Sequence, residues 1–188
     1  MKKIGIALIS IAVLSLIVAV PVFSNNYTYN FEKSTAGWES TGMWHIINET
    51  SQYRNANSGN SSFWYGNDLT GTYDSGTANS GRLVSPPINL KGSDKTTLTF
   101  WYWYQTETMG NRYDQRFVHI REAGSQEWEE IDQLYDDPMS QWLQKTYDIS
   151  KYNGKVIEVS FYFDMADGLA NDYRGWYIDD VEIQVEKK

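Results

Sequence analysis

The chain has no cysteine at all, and only four prolines and two histidines in 188 residues. Without cysteine there is no disulfide framework, so an extracellular fold must draw its stability from core packing or from a bound metal. Two isolated histidines, His45 and His119, make no zinc cluster of ordinary spacing. They serve a serine nucleophile poorly as well, because each lies inside an apolar alternating run that suits a packed strand residue. The His-Glu-x-x-His motif of zinc peptidases is missing. Positive charge is scarce too: 16 Lys and Arg stand against 24 Asp and Glu, for a net charge of −8. A chain with no basic face is not expected to bind nucleic acid. No credible amphipathic helix is found either.

Aromatic residues are plentiful: eight Trp, fourteen Tyr and seven Phe. Residues 1–24 open with Lys2 and Lys3, continue through an apolar run over 4–20, and end with Val22 and Ser24 at positions suited to signal-peptidase cleavage. They read as a signal peptide. The alternative is an uncleaved membrane anchor, since the run is nearly long enough to span a bilayer. Either way the folded part, 25–188, lies outside the cytoplasm, extracellular or at the cell surface, and suits one single-core domain.

Period-2 alternation predicts strands over 27–32, 43–47, 62–66, 82–90, 97–104, 116–120, 127–131, 142–147, 155–163 and 175–185, with one helical turn near 148–152. Pro86 and Pro87 mark an edge or a bend in the fourth of these. The run 97–104 carries large apolar groups on both faces and is expected to be central and covered on both sides. About ten short strands with turns between them predict an all-β fold, an antiparallel β-sandwich.

The last strand carries an anomaly. Strict alternation places Trp176, Ile178, Asp180 and Glu182 on one face and Tyr177, Asp179, Val181, Ile183 and Val185 on the other, the core side. Two adjacent carboxylates in an otherwise apolar strand need a cation or a donor-rich turn beside them.

These local patterns occur in an order that resembles a known family. Phe31-Glu32 with Gly37-Trp38, then Trp44, Leu83-x-Ser85-Pro86, Leu98-x-Phe100-Trp101-Tyr102, Trp142 and Ile178-Asp179-Asp180-Val181 are similar to the MAM domain, a jelly-roll adhesion module. The likeness is greater to the cysteine-free MAM-like domains of immune inhibitor A peptidases and microbial surface proteins, whose ending matches residues 175–181. The start and finish also resemble jelly-roll carbohydrate-binding modules. The resemblance implies a jelly roll with an adhesion or accessory binding role. It also implies structural calcium, held by Glu32, by Asp179 or Asp180, and by a loop containing Asn57 and Ser58. That residue set is chemically sufficient for calcium. Strict alternation favours Asp180 over Asp179. The alternative is that the aspartates accept turn amides or pair with Arg174.

Further candidates follow from residue type. Trp101 and Trp103 share a strand face, while Trp64 and Tyr65 flank a loop; together they are a candidate sugar platform, with sheet-to-sheet core as the alternative. Asp164, Asp167 and Asn171 lie in an acidic segment that reads either as a ligand or calcium loop or as a solvated one. Glu130-Ile131-Asp132 is similar to the catalytic strand of laminarinase-like glycosidases, but Tyr135 stands where the second carboxylate belongs. No catalytic set is therefore expected, and the chain is not read as an enzyme. The expected function is non-catalytic binding of an extracellular glycan or surface protein. The rival is a self-associating filament or surface-layer subunit, in which an N-terminal segment over 25–30 adds to a neighbour's sheet edge.

Overall fold

The computed structural model describes residues 22–23, 26–107, 110 and 112–187, so the expected signal segment lies outside the described residues apart from Val22–Phe23. In chain order the strands are β1 (Val22–Phe23), β2 (Tyr27–Tyr29), β3 (Glu39–Ser40), β4 (Trp44–Ile47), β5 (Ser62–Tyr65), β6 (Ser80–Val84) and β7 (Ile88–Asn89). They continue with β8 (Lys95–Gln105), β9 (Gln115–Glu122), β10 (Glu129–Gln133), β11 (Leu143–Asp148), β12 (Val156–Asp164) and β13 (Gly175–Lys187). A single 3-10 turn, Ser150–Tyr152, joins β11 to β12. The expected strand over 82–90 breaks into β6 and β7 at Ser85-Pro86-Pro87, because prolines have no N–H to continue a ladder. Both pieces still pair with β12, Leu83 opposite Phe161 and Ile88 opposite Ile157.

Two antiparallel sheets result. One has seven strands in the order β11-β8-β13-β5-β4, with β1 and β2 also paired to β13; the other has six in the order β10-β9-β12-β6-β3, with β7 also paired to β12. Their inner faces meet in an aromatic core. Leu98, Phe100, Tyr102, Trp176, Ile178, Val181 and Ile183 face Leu83, Val118, Ile120, Val159, Phe161 and Phe163. The Phe161 ring meets Phe100 edge-on at 4.7 Å and Trp176 edge-on at 5.9 Å, and lies parallel to Trp38 at 6.0 Å. Such offset and edge-on pairs add to the area the rings remove from water, about 25 cal/mol per Å².

Three expectations need correction. β8 is central, between β11 and β13, but its burial alternates strictly, so Thr97, Thr99, Trp101 and Trp103 stay partly exposed on an outer face. In β13 the register against β8 shifts between Asp179 and Glu182, and Asp180 takes φ 45. This one-residue bulge turns Trp176 and Ile178 inward together with Val181, Ile183 and Val185, and it leaves Tyr177 and Asp179 on the outer face. Strict alternation had put Asp179 on the core side with Val181. Finally, Tyr27–Tyr29 already pairs with β13, Tyr29 opposite Val181, so the N-terminal segment is a strand of its own sheet rather than a free donor strand.

Candidate functional site

The β13 bulge is held by the segment between β4 and β5. Asp179 Oδ2 accepts the backbone N–H of Asn57 at 2.8 Å and of Ser58 at 3.2 Å, while Oδ1 accepts that of Asp180 at 2.7 Å. Asp180 accepts Asn57 Nδ2 and Ser58 Oγ, both at 2.8 Å. Glu32, just after β2, accepts Asn60 N–H at 2.9 Å and Ser61 N–H at 2.7 Å through Oε1. Gly59 has φ +58, and a Cβ there would lie 2.4 Å from the Glu32 carboxyl carbon, so only glycine lets this carboxylate lie against the turn. Asp179 is fully buried. Burial, and then the Asp180 carboxylate, push its pKa up to about 7 against the pull of the three N–H bonds. Arg174 is not part of this clasp; it donates to Tyr53 O at 3.0 Å and to the Tyr177 hydroxyl at 3.4 Å.

All five residues expected to hold calcium therefore meet at one clasp, with both aspartates engaged. The donor types suit calcium, which takes carboxylate, amide and hydroxyl oxygens. Their arrangement does not match a formed ion site. The loop turns N–H groups rather than carbonyls toward the carboxylates, and among the described residues no three His, Cys, Asp or Glu side chains converge as a metal-binding group.

The expected sugar platform is not assembled. Trp64 and Tyr65 are both 0% exposed and offer no ring face to a ligand. Tyr65 points into the main core, and Trp64 stacks on Tyr177 at 5.5 Å under the segment carrying Tyr53. Gly66 makes this possible, because a Cβ there would lie 2.0 Å from the Trp64 ring. Trp101 and Trp103 remain partly exposed on the outer face of the seven-stranded sheet, Trp103 edge-on to Tyr177 at 5.3 Å and Trp101 opposite Asp179 in the strand register. Nor do Asp164, Asp167 and Asn171 converge. Asp164 accepts Ala166 N–H and Asp167 accepts Leu169 N–H, so each carboxylate closes its own turn, while buried Asn171 donates to Asp167 O.

A second array lies on the outer face of the six-stranded sheet and was missed in the sequence. Strand register sets Arg82 and Phe117 on either side of Tyr162, and Ser160 beside His119. Phe117, His119 and Tyr162 stack with centroids 5.4 to 6.1 Å apart. The Arg82 guanidinium lies 4.2 Å from the Tyr162 ring and 4.9 Å from that of Trp128; Arg121 lies 4.4 Å from Trp128. Arg82 Nη1 donates to His119 Nδ1 at 2.8 Å and to Ser160 Oγ at 3.2 Å. Burial, and then the Arg82 charge, lower the His119 pKa to about 4, so the ring is neutral at pH 7. With Nδ1 accepting, its proton sits on Nε2. The available signal was the outward alternation Phe117-x-His119-x-Arg121 and Glu158-x-Ser160-x-Tyr162.

No family model matches the chain. Bacillopeptidase F of Bacillus subtilis (strain 168) is 32% identical over 168 residues, covering 87% of this chain, and the chain spans 11% of that protein's length. Among solved structures, the K1 cleaved adhesin domain of Lys-gingipain from Porphyromonas gingivalis W83 superposes with a TM-score of 0.55 at 19% identity, over 85% of this chain and 98% of that one. The carbohydrate-binding module TmCBM61, solved with β-1,4-galactotriose, gives 0.52 at 15% identity over 82% and 92%. A xylan-binding domain from Paenibacillus barcinonensis gives 0.51 at 14% identity over 86% and 94%. The two-sheet fold is thus that of jelly-roll adhesin and carbohydrate-binding domains. The chain is homologous to a part of bacillopeptidase F, and its fold is the jelly roll that the resemblance implied.

Proposed function

We propose that the chain is a non-catalytic extracellular module that binds a glycan through the outer face of its six-stranded sheet. The carrying observation is the continuous array of Phe117, His119, Tyr162, Trp128 and Arg82, in which partly exposed rings alternate with hydrogen-bond donors. Flat apolar faces beside polar groups are what a sugar ring needs from a protein surface. The jelly-roll relatives named for carbohydrate binding support the reading. A protein ligand on the same face is the second reading, supported by the adhesin-domain likeness. Extracellular placement rests on the apolar segment 4–20 and its basic start.

A glycan array on the folded module tests this, followed by titration of the best binder. Trp128→Ala and Tyr162→Ala are expected to weaken binding about tenfold or more, whereas Trp101→Ala and Trp103→Ala leave it unchanged. The reverse pattern would move the site to the seven-stranded sheet, and no effect from any of the four would overturn both locations. The self-assembly rival predicts oligomers in light scattering; a persistent monomer counts against it.

Calcium is proposed as a stabilising ion at the clasp. Glu32, Asp179 and Asp180 each bond to the one segment over 57–61, and none of the three has an ion-pair partner among the described residues. Flipping the Asn57 amide and rotating the Ser58 hydroxyl would exchange donors for acceptors there.

A further inference from the structure

We propose that the ligand of this face is a carboxylate-bearing saccharide, a uronate, and that the Arg82 guanidinium is the group that binds its carboxylate; this rests on the face assigned above. The first observation is a missing partner. Acids outnumber bases 24 to 16, yet among the described residues Arg82 has no carboxylate ion-pair partner, while Arg121 pairs with Glu158, Lys151 with Glu129 and Lys155 with Glu122. A half-buried cation left unpaired among surplus carboxylates holds its charge available for something outside the chain.

The second observation is its fixed geometry. Nη1 is anchored on His119 and Ser160, and the guanidinium is packed against the Tyr162 and Trp128 rings. Among the described residues the Nε and Nη2 edge makes no hydrogen bond, and Arg82 is partly exposed. A guanidinium edge presents two parallel N–H donors that match the two oxygens of a carboxylate. Because the fork is already held, little side-chain entropy is lost when the anion binds. His119 is itself buried and neutral, so it holds the fork without competing for the anion. Trp128 and Tyr162 flank the cation and Phe117 continues the array beyond Tyr162, giving flat apolar surface that the ring carbons of a saccharide use and an acidic peptide does not. The net charge of −8 opposes indiscriminate polyanion binding, so attraction must come from this local contact.

The test compares polygalacturonate and alginate with their methyl-esterified forms, which keep each backbone and mask its carboxylates. Titration calorimetry on the folded module is expected to show the acid form of at least one polymer bound about tenfold tighter than its ester. Arg82→Gln should lower acid-form affinity about ten- to hundredfold and ester affinity by several-fold less, so that the acid-over-ester preference is lost. Arg82→Lys, which keeps charge but loses the fork, should recover only part of the loss. Melting curves confirm that each variant is folded. Equal affinity for acid and ester, binding of neither, an Arg82→Gln variant that binds as wild type does, or poly-glutamate bound as tightly as the polyuronates would each overturn the proposal. If Trp128→Ala still weakens ester or neutral-glycan binding, the glycan-binding face stands while the carboxylate assignment falls; if it changes nothing, both fall.

Discussion

Asp179 Oδ2 accepts the Asn57 backbone N–H at 2.8 Å, joining residues 122 positions apart in the chain. With the Glu32 bonds to Asn60 and Ser61, it fastens the final strand to an early loop through amides that have no strand partner. Asp179→Ala strands the Asn57 and Ser58 N–H groups and should cost about 2–4 kcal/mol, since each buried donor left unmade costs about 1–3 kcal/mol. Gly59→Ala should cost at least about 1 kcal/mol through its left-handed backbone and its clash with Glu32. Urea midpoints measure both, and a clasp that merely decorates the surface would leave them unmoved.

Calcium makes a separate prediction at the same place. An ion that binds only the folded chain adds RT ln(1 + [L]/Kd), about 2.7 kcal/mol at a hundred times Kd. The midpoint of thermal unfolding should therefore rise from EDTA to millimolar calcium, and the rise should vanish in Asp180→Asn and Glu32→Gln. Equal midpoints for the wild type in both solutions would mean that amides alone satisfy the carboxylates.

The core prediction rests on β8. Phe100 and Tyr102 are both 0% exposed between the sheets, so Phe100→Ala or Tyr102→Ala should cost roughly 3–5 kcal/mol. The Tyr102 variant also releases Asp137, whose carboxylate accepts its hydroxyl at 2.6 Å. A loss under about 1 kcal/mol at both positions would contradict the two-sheet packing.

Two buried groups bend the stability profile in opposite directions. Burial pushes the Asp114 pKa up to about 7, so the unfolded chain loses this proton near pH 4 while the folded chain keeps it; the associated stability is present below pH 4 and lost as pH rises through 7. His119 has its pKa lowered to about 4, so its contribution is present above pH 6.5 and lost as pH falls toward 4. Asp114→Asn should lessen the loss on the alkaline side, where Asp179 acts in the same direction, and His119→Gln the loss on the acid side. Denaturant midpoints from pH 4 to 8 check both, and a variant profile parallel to that of the wild type would refute the assignment for its residue.

Period-2 alternation is a strong local signal, and runs such as 97–104 and 155–163 were legible in it. The clasp partners were readable as residue types. Their donors were not, because nothing local says whether a loop turns its N–H or its C=O groups toward a carboxylate. The Asp180 bulge depends on a single φ, and one such residue reverses the facing of everything beyond it. Trp64 and Tyr65 looked available because the segment that buries Trp64 folds back over the outer face from outside their own strand. The Arg82 array joins four separate segments of the chain, so no window of sequence contains it.

The pairing of β1 and β2 with β13 also has a mechanical consequence. Val22 sits opposite Lys187, and Tyr29 opposite Val181, so the two ends of the described chain run side by side in opposite directions. Tension applied at those ends pulls the strands apart one rung at a time, as a zipper opens, instead of shearing many rungs at once. Peeling of this kind yields at low force until it reaches the bulge, where Asp179 and Asp180 are tied to Asn57 and Ser58 and the next step must break several bonds together. Under load, the clasp is the latch of the domain.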